Sequence, residues 1–296
     1  MTGDRIILSR AGLRLELARP GAFYQGTRFD RSGVFLGIRL GDRIYCDEWN
    51  DSPDPMAHDR VNGPSEEFYG CLGYDAGPVP GAFLKLGVGI LERDGAAPYD
   101  WFHRYRILDP GRWEVEQASG DVRFVHTMPG IYEYSKTVGI AGEASFRISH
   151  RLVWDGSGAW MPQGAERFLL RQYCHNFFTF GLPSVGPERS VEFDAPVSGT
   201  WRPDSVNCRS DARRVWIDSG MEPGQKCYLG DIRYGSDSGY GLTLRAGGRA
   251  VRIDCTLPMG RSVLWSNHRV FCPEPYVDLY VEPETPLEWS IDYKLL

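Results

Sequence analysis

Apolar and polar residues alternate along the whole chain, and this period of two constrains the possible folds more than any other feature. The alternation is clearest in residues 13–17, 84–90, 146–154 and 287–295. Successive side chains of a β-strand point to opposite faces, so each segment predicts a strand with one buried face. No segment has a long amphipathic helical period, and helix is expected only as short turns. The sequence therefore predicts an all-β fold.

Turn signals separate these segments. The chain holds 35 glycines and 20 prolines, which favours many short strands joined by turns. Gly247 and Gly248 lie between two alternating runs and predict a tight hairpin. Residues 46–81 are rich in Asp, Pro, Gly and Glu, and we interpret them as an irregular functional loop rather than a linker. Because no repeat or break in composition divides the chain, we predict a single domain spanning residues 1–296.

The overall charge limits the expected partners. The net charge is -6 and the isoelectric point is about 5.6, with no basic block or tail. We therefore expect no nucleic acid and no membrane as a partner, and a neutral or weakly charged small molecule fits better. No apolar run approaches the roughly 20 residues that span a bilayer. Residues 1–8 lack the apolar centre of a secretion signal, so a cytoplasmic location is predicted.

Neither the cysteine spacing nor any known motif indicates a bound metal or an organic cofactor. The seven cysteines are odd in number and irregularly spaced, and none form a C-x-x-C pair. This pattern suggests neither a disulfide framework nor a structural zinc site, and free thiols are expected. The chain also lacks a phosphate-binding loop, a dinucleotide fingerprint and a G-x-S-x-G nucleophile motif. The sequence thus predicts no metal and no organic cofactor.

The first candidate for chemistry is His175, inside the aromatic-rich run of residues 171–181. In an alternating strand Tyr173, His175 and Phe177 share one face. Histidine titrates near neutral pH and can donate or accept a proton there. The alternative is a core histidine that is held by a backbone hydrogen bond, and the strand pattern alone favours that alternative.

The second candidate is Glu274, which stands between Pro273 and Pro275. Each proline fixes its own φ and restricts the residue before it, so the carboxylate is presented from a stiff backbone. Such stiffness suits a catalytic base. The alternative is a solvent-exposed glutamate at the turn of an edge strand, which is the commoner case for an isolated glutamate.

Two further clusters of charge lie in the first quarter of the chain. Arg28 and Arg31 flank Asp30 between glycines, and arginine forks bind carboxylates, phosphates or vicinal hydroxyls. An Arg–Asp pair that only holds a turn is equally compatible with this pattern. Glu66 and Glu67 could bind hydroxyls or a cation, or transfer a proton, or form a solvated acidic turn. The other five histidines have no metal-ligand spacing, and we expect them to be structural or exposed.

Taken in order, these segments resemble the aldose 1-epimerase, or galactose mutarotase-like, superfamily. Residues 14–33 resemble its opening strands, 174–178 its N-H-x-Y-F-N segment, and 271–275 its c-x-E-P strand. Residues 282–293 resemble its closing segment, and together the similarity spans most of the chain. Two departures stand out. Cys174 replaces the asparagine before the histidine, and no second histidine in an H-G pair occurs in the first third, where Glu66 and Glu67 lie instead.

The resemblance implies a large antiparallel β-sandwich, called a supersandwich, that binds a sugar and interconverts its anomers. It makes Glu274 the catalytic base and His175 the catalytic acid, on opposite sides of a pyranose ring. No metal or cofactor is implied. The missing histidine implies either a rearranged site or a substrate other than an ordinary free hexose. The sugar, the anomer and the oligomeric state stay open.

The same resemblance suggests which residues bind the substrate. Candidates that contact sugar oxygens or the ring face are Arg28, Arg31, Glu67, Arg171 and Tyr276, and Trp101 and Tyr74 are further candidates for stacking. Two alternatives stay open. One is a carbohydrate-binding protein without catalytic activity. The other is a lyase or a different isomerase on the same scaffold, in which Glu66 or Glu67 and a tyrosine carry the chemistry.

Overall fold

The structure is a computed structural model that describes residues 3–75, 77–155, 160–161 and 165–296. Every regular element in these ranges is a β-strand. The strands are β1 (Arg5–Arg10), β2 (Leu13–Ala18), β3 (Phe35–Leu40), β4 (Arg43–Cys46), β5 (Gly63–Tyr69), β6 (Gly81–Lys85), β7 (Gly89–Arg93), β8 (Ile107–Asp109), β9 (Arg112–Ala118), β10 (Asp121–Met128), β11 (Tyr132–Gly142), β12 (Ser145–Trp154), β13 (Phe168–Phe177), β14 (Ser190–Phe193), β15 (Val197–Trp201), β16 (Cys208–Ser210), β17 (Arg214–Ile217), β18 (Lys226–Tyr234), β19 (Tyr240–Ala246), β20 (Arg249–Cys255), β21 (Met259–Asn267), β22 (Phe271–Val281) and β23 (Leu287–Leu295). The described residues contain no helix that is long and apolar enough to cross a membrane.

Two large antiparallel sheets dominate the architecture. The ten-stranded sheet has the order β16-β17-β14-β19-β20-β23-β12-β11-β10-β9, and the six-stranded sheet has the order β15-β18-β21-β22-β13-β5. A four-stranded sheet (β1 to β4) and a three-stranded sheet (β6 to β8) complete the fold. Neighbouring strands in the large sheets are often distant in sequence, as for β12 with β23 and β13 with β5.

The apolar faces of the two large sheets pack against each other. β12 alternates as predicted, and Phe146, Ile148, Leu152 and Trp154 are fully buried. They belong to one apolar cluster with residues of β13, β21, β22 and β23. Polar contacts cross the same interface, because Trp289 Nε1 of β23 donates to Gln172 Oε1 of β13 at 2.6 Å. The predicted all-β antiparallel sandwich is therefore confirmed, whereas the single-domain organisation stays a prediction.

The alternation located some strands correctly and misjudged one. β2, β12 and β23 coincide with predicted strands, and the predicted hairpin joins β19 to β20 with Ala246 opposite Arg249. Residues 84–90, predicted as one strand, instead hold the end of β6, a tight turn at residues 86–88 and the start of β7. Gly87 has φ of 76° in this turn, a left-handed conformation that glycine adopts without strain. The predicted irregular loop 46–81 was also wrong in part, because it contains β5.

The expectation of free thiols holds for five cysteines and is wrong for two. Cys208 of β16 and Cys227 of β18 form a disulfide bond. β16 belongs to the ten-stranded sheet and β18 to the six-stranded sheet, so the bond joins the two large sheets. Spacing along the chain could not show this pair, because the two strands meet only when the sheets stack.

The turn at Gly87 yields a stability prediction. A Cβ at this position would lie 2.7 Å from Asp30 Oδ1, and that carboxylate is itself held by Ser32 and Tyr134. Gly87→Ala should therefore lower the free energy of unfolding by about 1–3 kcal/mol, from backbone strain and the close contact. Gly95→Ala is the matched control, because its Cβ would meet nothing within 4 Å. Equal denaturant midpoints for the two variants would contradict this account of the turn.

Candidate functional site

A cavity of about 580 Å³ opens over one face of the six-stranded sheet. This volume lies within the range of about 300–1,000 Å³ that is typical of small-molecule sites. Its floor consists of side chains from four neighbouring strands: Tyr173, His175 and Phe177 of β13, Glu274 and Tyr276 of β22, Arg261 and Trp265 of β21, and Lys226 and Tyr228 of β18. Loops and the end of β5 supply the walls with Arg28, Trp49, His58, Asp59, Tyr69, Trp101, Phe102, Arg202, Asp204 and Ser205.

The prolines beside Glu274 shape the join between β13 and β22. Backbone pairing of these strands ends at Tyr173 with Tyr276, and Pro275 and Pro273 follow with no N–H to donate. Asn176 Nδ2 of β13 takes over by donating to the Pro273 carbonyl oxygen at 2.9 Å. On the other side β22 pairs with β21 past both prolines. Glu274 is thus held between two strands, next to His175.

His175 and Glu274 meet on the cavity floor. They are 2% and 7% exposed, and His175 Nδ1 lies 3.0 Å from Glu274 Oε1. The expectation that both residues belong to one site agrees with this placement. The expectation that a sugar ring lies between them does not, because atoms at hydrogen-bond distance leave no room for a ring. Both groups must act from the same side of a ligand.

Arg28 determines which ring nitrogen of His175 carries the proton. Its Nη2 lies 3.3 Å from His175 Nε2 and also donates to the Tyr173 hydroxyl at 3.2 Å. A guanidinium group only donates hydrogen bonds, so Nε2 must accept and the ring proton must be on Nδ1. Glu67 Oε2, at 3.8 Å from Nε2, is too far away to accept a hydrogen bond from that atom. In this arrangement the N–H of His175 is the one beside Glu274.

Glu67 does not line the cavity but binds the side chains that do. It is fully buried, and its carboxylate accepts from Arg28 Nε at 2.7 Å, from Lys85 Nζ at 3.1 Å and from the Tyr173 hydroxyl. Burial alone would raise the pKa of Glu67, but the charges of Lys85 and Arg28 outweigh this effect and hold the pKa well below its usual range. Glu67 therefore stays ionised and positions Arg28.

Glu66 points to the opposite face of β5, into the space between the sheets. Its carboxylate lies 2.5 Å from His150 Nε2 and contacts Lys136 Nζ. Burial tends to raise the pKa of Glu66, but His150 and Lys136 lower it to about 2. Glu66 is thus a core group with no access to the cavity.

Of the three other predicted binding residues, the structure places only Tyr276 in the cavity. Arg31 donates to the Gly26 carbonyl oxygen and ties a turn, and Arg171 pairs with Asp278 at 2.7 Å, so neither lines the cavity. Tyr276 does line the cavity, but one ring face stacks on Tyr173 at 4.1 Å and Arg261 lies over the ring at 4.4 Å. Stacking of a sugar on Tyr276 is therefore not supported.

Only one of the two further stacking candidates lies at the cavity. Trp101 lies on the cavity wall, whereas Tyr74 belongs to a separate apolar cluster under β6 and β7.

Several residues of the cavity were missed from the sequence. His58, expected to be structural or exposed, lies on the wall beside Asp59, and Arg261 and Trp265 lie on the floor. The alternation of β21 puts Arg261, Val263 and Trp265 on one face, and this pattern is visible in the sequence. What the sequence does not reveal is that β21 pairs with β22, which places that face beside Glu274.

Three neighbouring side chains, two of them on the cavity floor, have the chemistry of metal ligands. One ligand atom each of His175, Cys272 and Glu274 lies within 4.8 Å of the others. A cation on His175 Nδ1 would require the ring proton on Nε2, facing the N–H donors of Arg28. Burial also raises the pKa of the Cys272 thiol well above its usual value. The arrangement therefore favours proton chemistry over a resident metal.

Comparison with known proteins shows the fold. No protein-family model and no curated protein matches the sequence. A candidate aldose 1-epimerase from Escherichia coli K12 superposes with a TM-score of 0.61 at 11% identity, over 99% of this chain and 98% of that one. A GalM/aldose epimerase homologue from C. elegans gives 0.57 at 14% identity, over 99% and 98%.

A galactose mutarotase-like protein from Lactobacillus casei gives a TM-score of 0.57 at 12% identity, over 99% of this chain and 100% of that one. These proteins match almost end to end, so the chain has the galactose mutarotase-like all-β fold. The resemblance inferred from the sequence is confirmed at the level of the fold.

The contact between Arg28 and His175 predicts a spectroscopic result. Long-range ¹H–¹⁵N correlation spectra at mildly alkaline pH should show His175 as the Nδ1–H form in the free protein. Arg28→Lys keeps the charge but loses the guanidinium fork, and it should weaken this preference. Arg202→Lys is the control on the same cavity. An Nε2–H form in the wild type would contradict the assigned role of Arg28.

Proposed function

We propose that this protein is a mutarotase-like enzyme that interconverts the anomers of a sugar by acid–base opening of its ring. The observation that carries the proposal is the contact of Glu274 with His175 on the floor of a cavity lined by aromatic side chains. The fold supports it, because its structural neighbours include proteins described as aldose epimerase homologues. The proposed partner is therefore a small sugar or sugar derivative.

Ring opening needs two proton transfers at neighbouring atoms. The anomeric hydroxyl oxygen and the ring oxygen are bonded to the same carbon, so an acid and a base in mutual contact can reach both. Glu274 takes the proton of the anomeric hydroxyl, and the bond between the anomeric carbon and the ring oxygen breaks. The ring oxygen keeps the electron pair and receives a proton from His175. Rotation of the open-chain aldehyde and the reverse steps give the other anomer.

His175 needs two ring protons to act as the acid. A neutral imidazole that gave up its only proton would be left as an anion, which is not accessible near neutral pH. Glu67 Oε2 lies 3.8 Å from Nε2 and is the group that would pair with the second proton. The Arg28 contact at 3.3 Å must lengthen for this to happen. His175 then lies between the carboxylates of Glu67 and Glu274.

The rest of the cavity suits a sugar. Trp265 and Tyr228, which are half-buried, offer aromatic surface to the apolar C–H faces of a pyranose. Asp59, Asp204 and Ser205 offer hydrogen-bond partners to hydroxyls. The breaking and re-forming of the ring C–O bond needs only proton transfers from the protein, so the proposal includes no metal and no organic cofactor. A cytoplasmic location stays a prediction, and the Cys208–Cys227 bond is unusual for that compartment.

The geometry of the site argues against a lyase but is compatible with a non-catalytic sugar-binding protein. A lyase that uses Glu66 or Glu67 is disfavoured, because both carboxylates are buried and paired with cations away from the cavity surface. A sugar-binding protein without catalytic activity would use the same cavity. Saturable sugar binding without faster anomer exchange would favour it.

The catalytic proposal predicts the effect of one conservative substitution. Glu274→Gln keeps the shape but removes the base, and it should lower kcat for anomer exchange by about 10²–10⁴-fold. Asp278→Asn is the control, because Asp278 lies on the same strand as Glu274 but pairs with Arg171 outside the cavity. NMR exchange spectroscopy on a panel of aldoses, ketoses and acidic sugars measures the rates. An unchanged rate in Glu274→Gln would exclude Glu274 as the base, and no acceleration by wild type on any sugar would refute the enzyme.

A further inference from the structure

Arg261 is a cavity cation whose place relative to the acid–base pair is fixed by strand pairing. It lies on β21 directly opposite Tyr276 of β22, and Val263 lies opposite Glu274. Arg261 and Glu274 are therefore on the same face of the sheet, offset by two positions, or about 7 Å along the strands. This offset is comparable to the distance across one pyranose and its substituents.

The guanidinium group of Arg261 has no strong partner in the described part of the chain. Its Nε is a buried donor without an acceptor, and the group's hydrogen-bond partner among the described residues is the Tyr69 side chain rather than a carboxylate. The nearest carboxylate is Asp231, whose Oδ1 lies 3.7 Å from Nη1 and whose side chain is 66% exposed. Such an exposed pair contributes little and is screened by salt. By contrast, Arg28 and Arg202 each have a carboxylate within 3.2 Å.

Stacking holds the guanidinium group in place. Its central carbon lies 4.4 Å from the ring centroid of Tyr276 and 5.3 Å from that of Tyr69. Tyr276 is in turn stacked on Tyr173, so this ring cannot move freely. A guanidinium group on an aromatic face keeps the donors on its edge available, and little side-chain entropy remains to be lost on binding.

We infer that Arg261 binds an anionic substituent of the sugar, a carboxylate or a phosphate, while Glu274 and His175 contact the anomeric end. A fixed guanidinium fork matches the oxygen geometry of these anions. An unpaired buried donor in a ligand cavity is also accounted for by a ligand that occupies the site. This inference rests on the proposed function, and it adds the substrate class: a uronate or a sugar phosphate rather than a neutral hexose.

The kinetic test compares neutral and anionic sugars of the same configuration. NMR exchange rates are measured for glucose, glucuronate and glucose 6-phosphate, and for the corresponding galactose series. Wild type should act on at least one anionic sugar with a higher kcat/KM than on its neutral parent. Arg261→Gln should lower kcat/KM for that anion by about 10–100-fold, mainly through KM, because a hydrogen bond to a charged group is lost. Rates on neutral sugars should change by less than about twofold.

Lys226→Gln is the matched control. Lys226 also lines the cavity and pairs with Asn267 at the other end of the contact between β18 and β21. An equal loss of anion turnover in both variants would indicate the general charge of the cavity and would overturn a specific role for Arg261. Turnover of neutral sugars alone by wild type would also overturn it.

A binding measurement separates failure of this inference from failure of the proposed function. The Arg261 Nε–H resonance, assigned by its loss in Arg261→Gln, is followed during titration with glucuronate, glucose 6-phosphate and glucose. A shift with an anionic sugar but not with glucose supports the inference even if no anomer exchange occurs. The sugar that shifts it distinguishes carboxylate from phosphate. No shift with either anion would overturn the inference, whatever the enzyme does with neutral sugars.

Discussion

Two adjacent buried glutamates on β5 are the constraint on which the rest of the site depends. Glu67 faces the cavity side with Arg28 and Lys85, and Glu66 faces the space between the sheets with His150 and Lys136. A buried carboxylate is tolerated only when cations and hydrogen bonds compensate for its desolvation, and removal of one partner typically costs about 3–5 kcal/mol. Each pairing therefore restricts where the loop of Arg28 and strands β11 and β12 can lie relative to β5.

These pairings also show what the two glutamates do in the first third of the chain. The resemblance seen in the sequence leads one to expect a second histidine there, and the sequence has Glu66 and Glu67 instead. Neither glutamate replaces a histidine that faces the ligand, because both are enclosed. Arg28, on the cavity wall, instead lies 3.3 Å from His175 Nε2, and its ion pair with Glu67 holds Arg28 in place. The proton position on His175 thus depends on a buried ion pair.

The sequence predicted those features that depend on local pattern. Alternation located β2, β12 and β23, two glycines located the β19–β20 hairpin, and the proline-flanked Glu274 and the aromatic strand around His175 do share one cavity. The errors involve contacts between distant segments. The turn at Gly87 is set by its approach to Asp30 and Tyr132, and the Cys208–Cys227 bond by the stacking of two sheets. The position of Arg261 follows from pairing of β21 with β22, which alternation alone does not reveal.

The central claim is that His175 and Glu274 act together on one anomeric centre from the same side. A crystal structure of the protein with a bound sugar tests it most directly. The account predicts the anomeric hydroxyl and the ring oxygen within about 2.6–3.2 Å of Glu274 and His175. A sugar bound with its anomeric carbon toward the loops, beyond reach of both side chains, would contradict it.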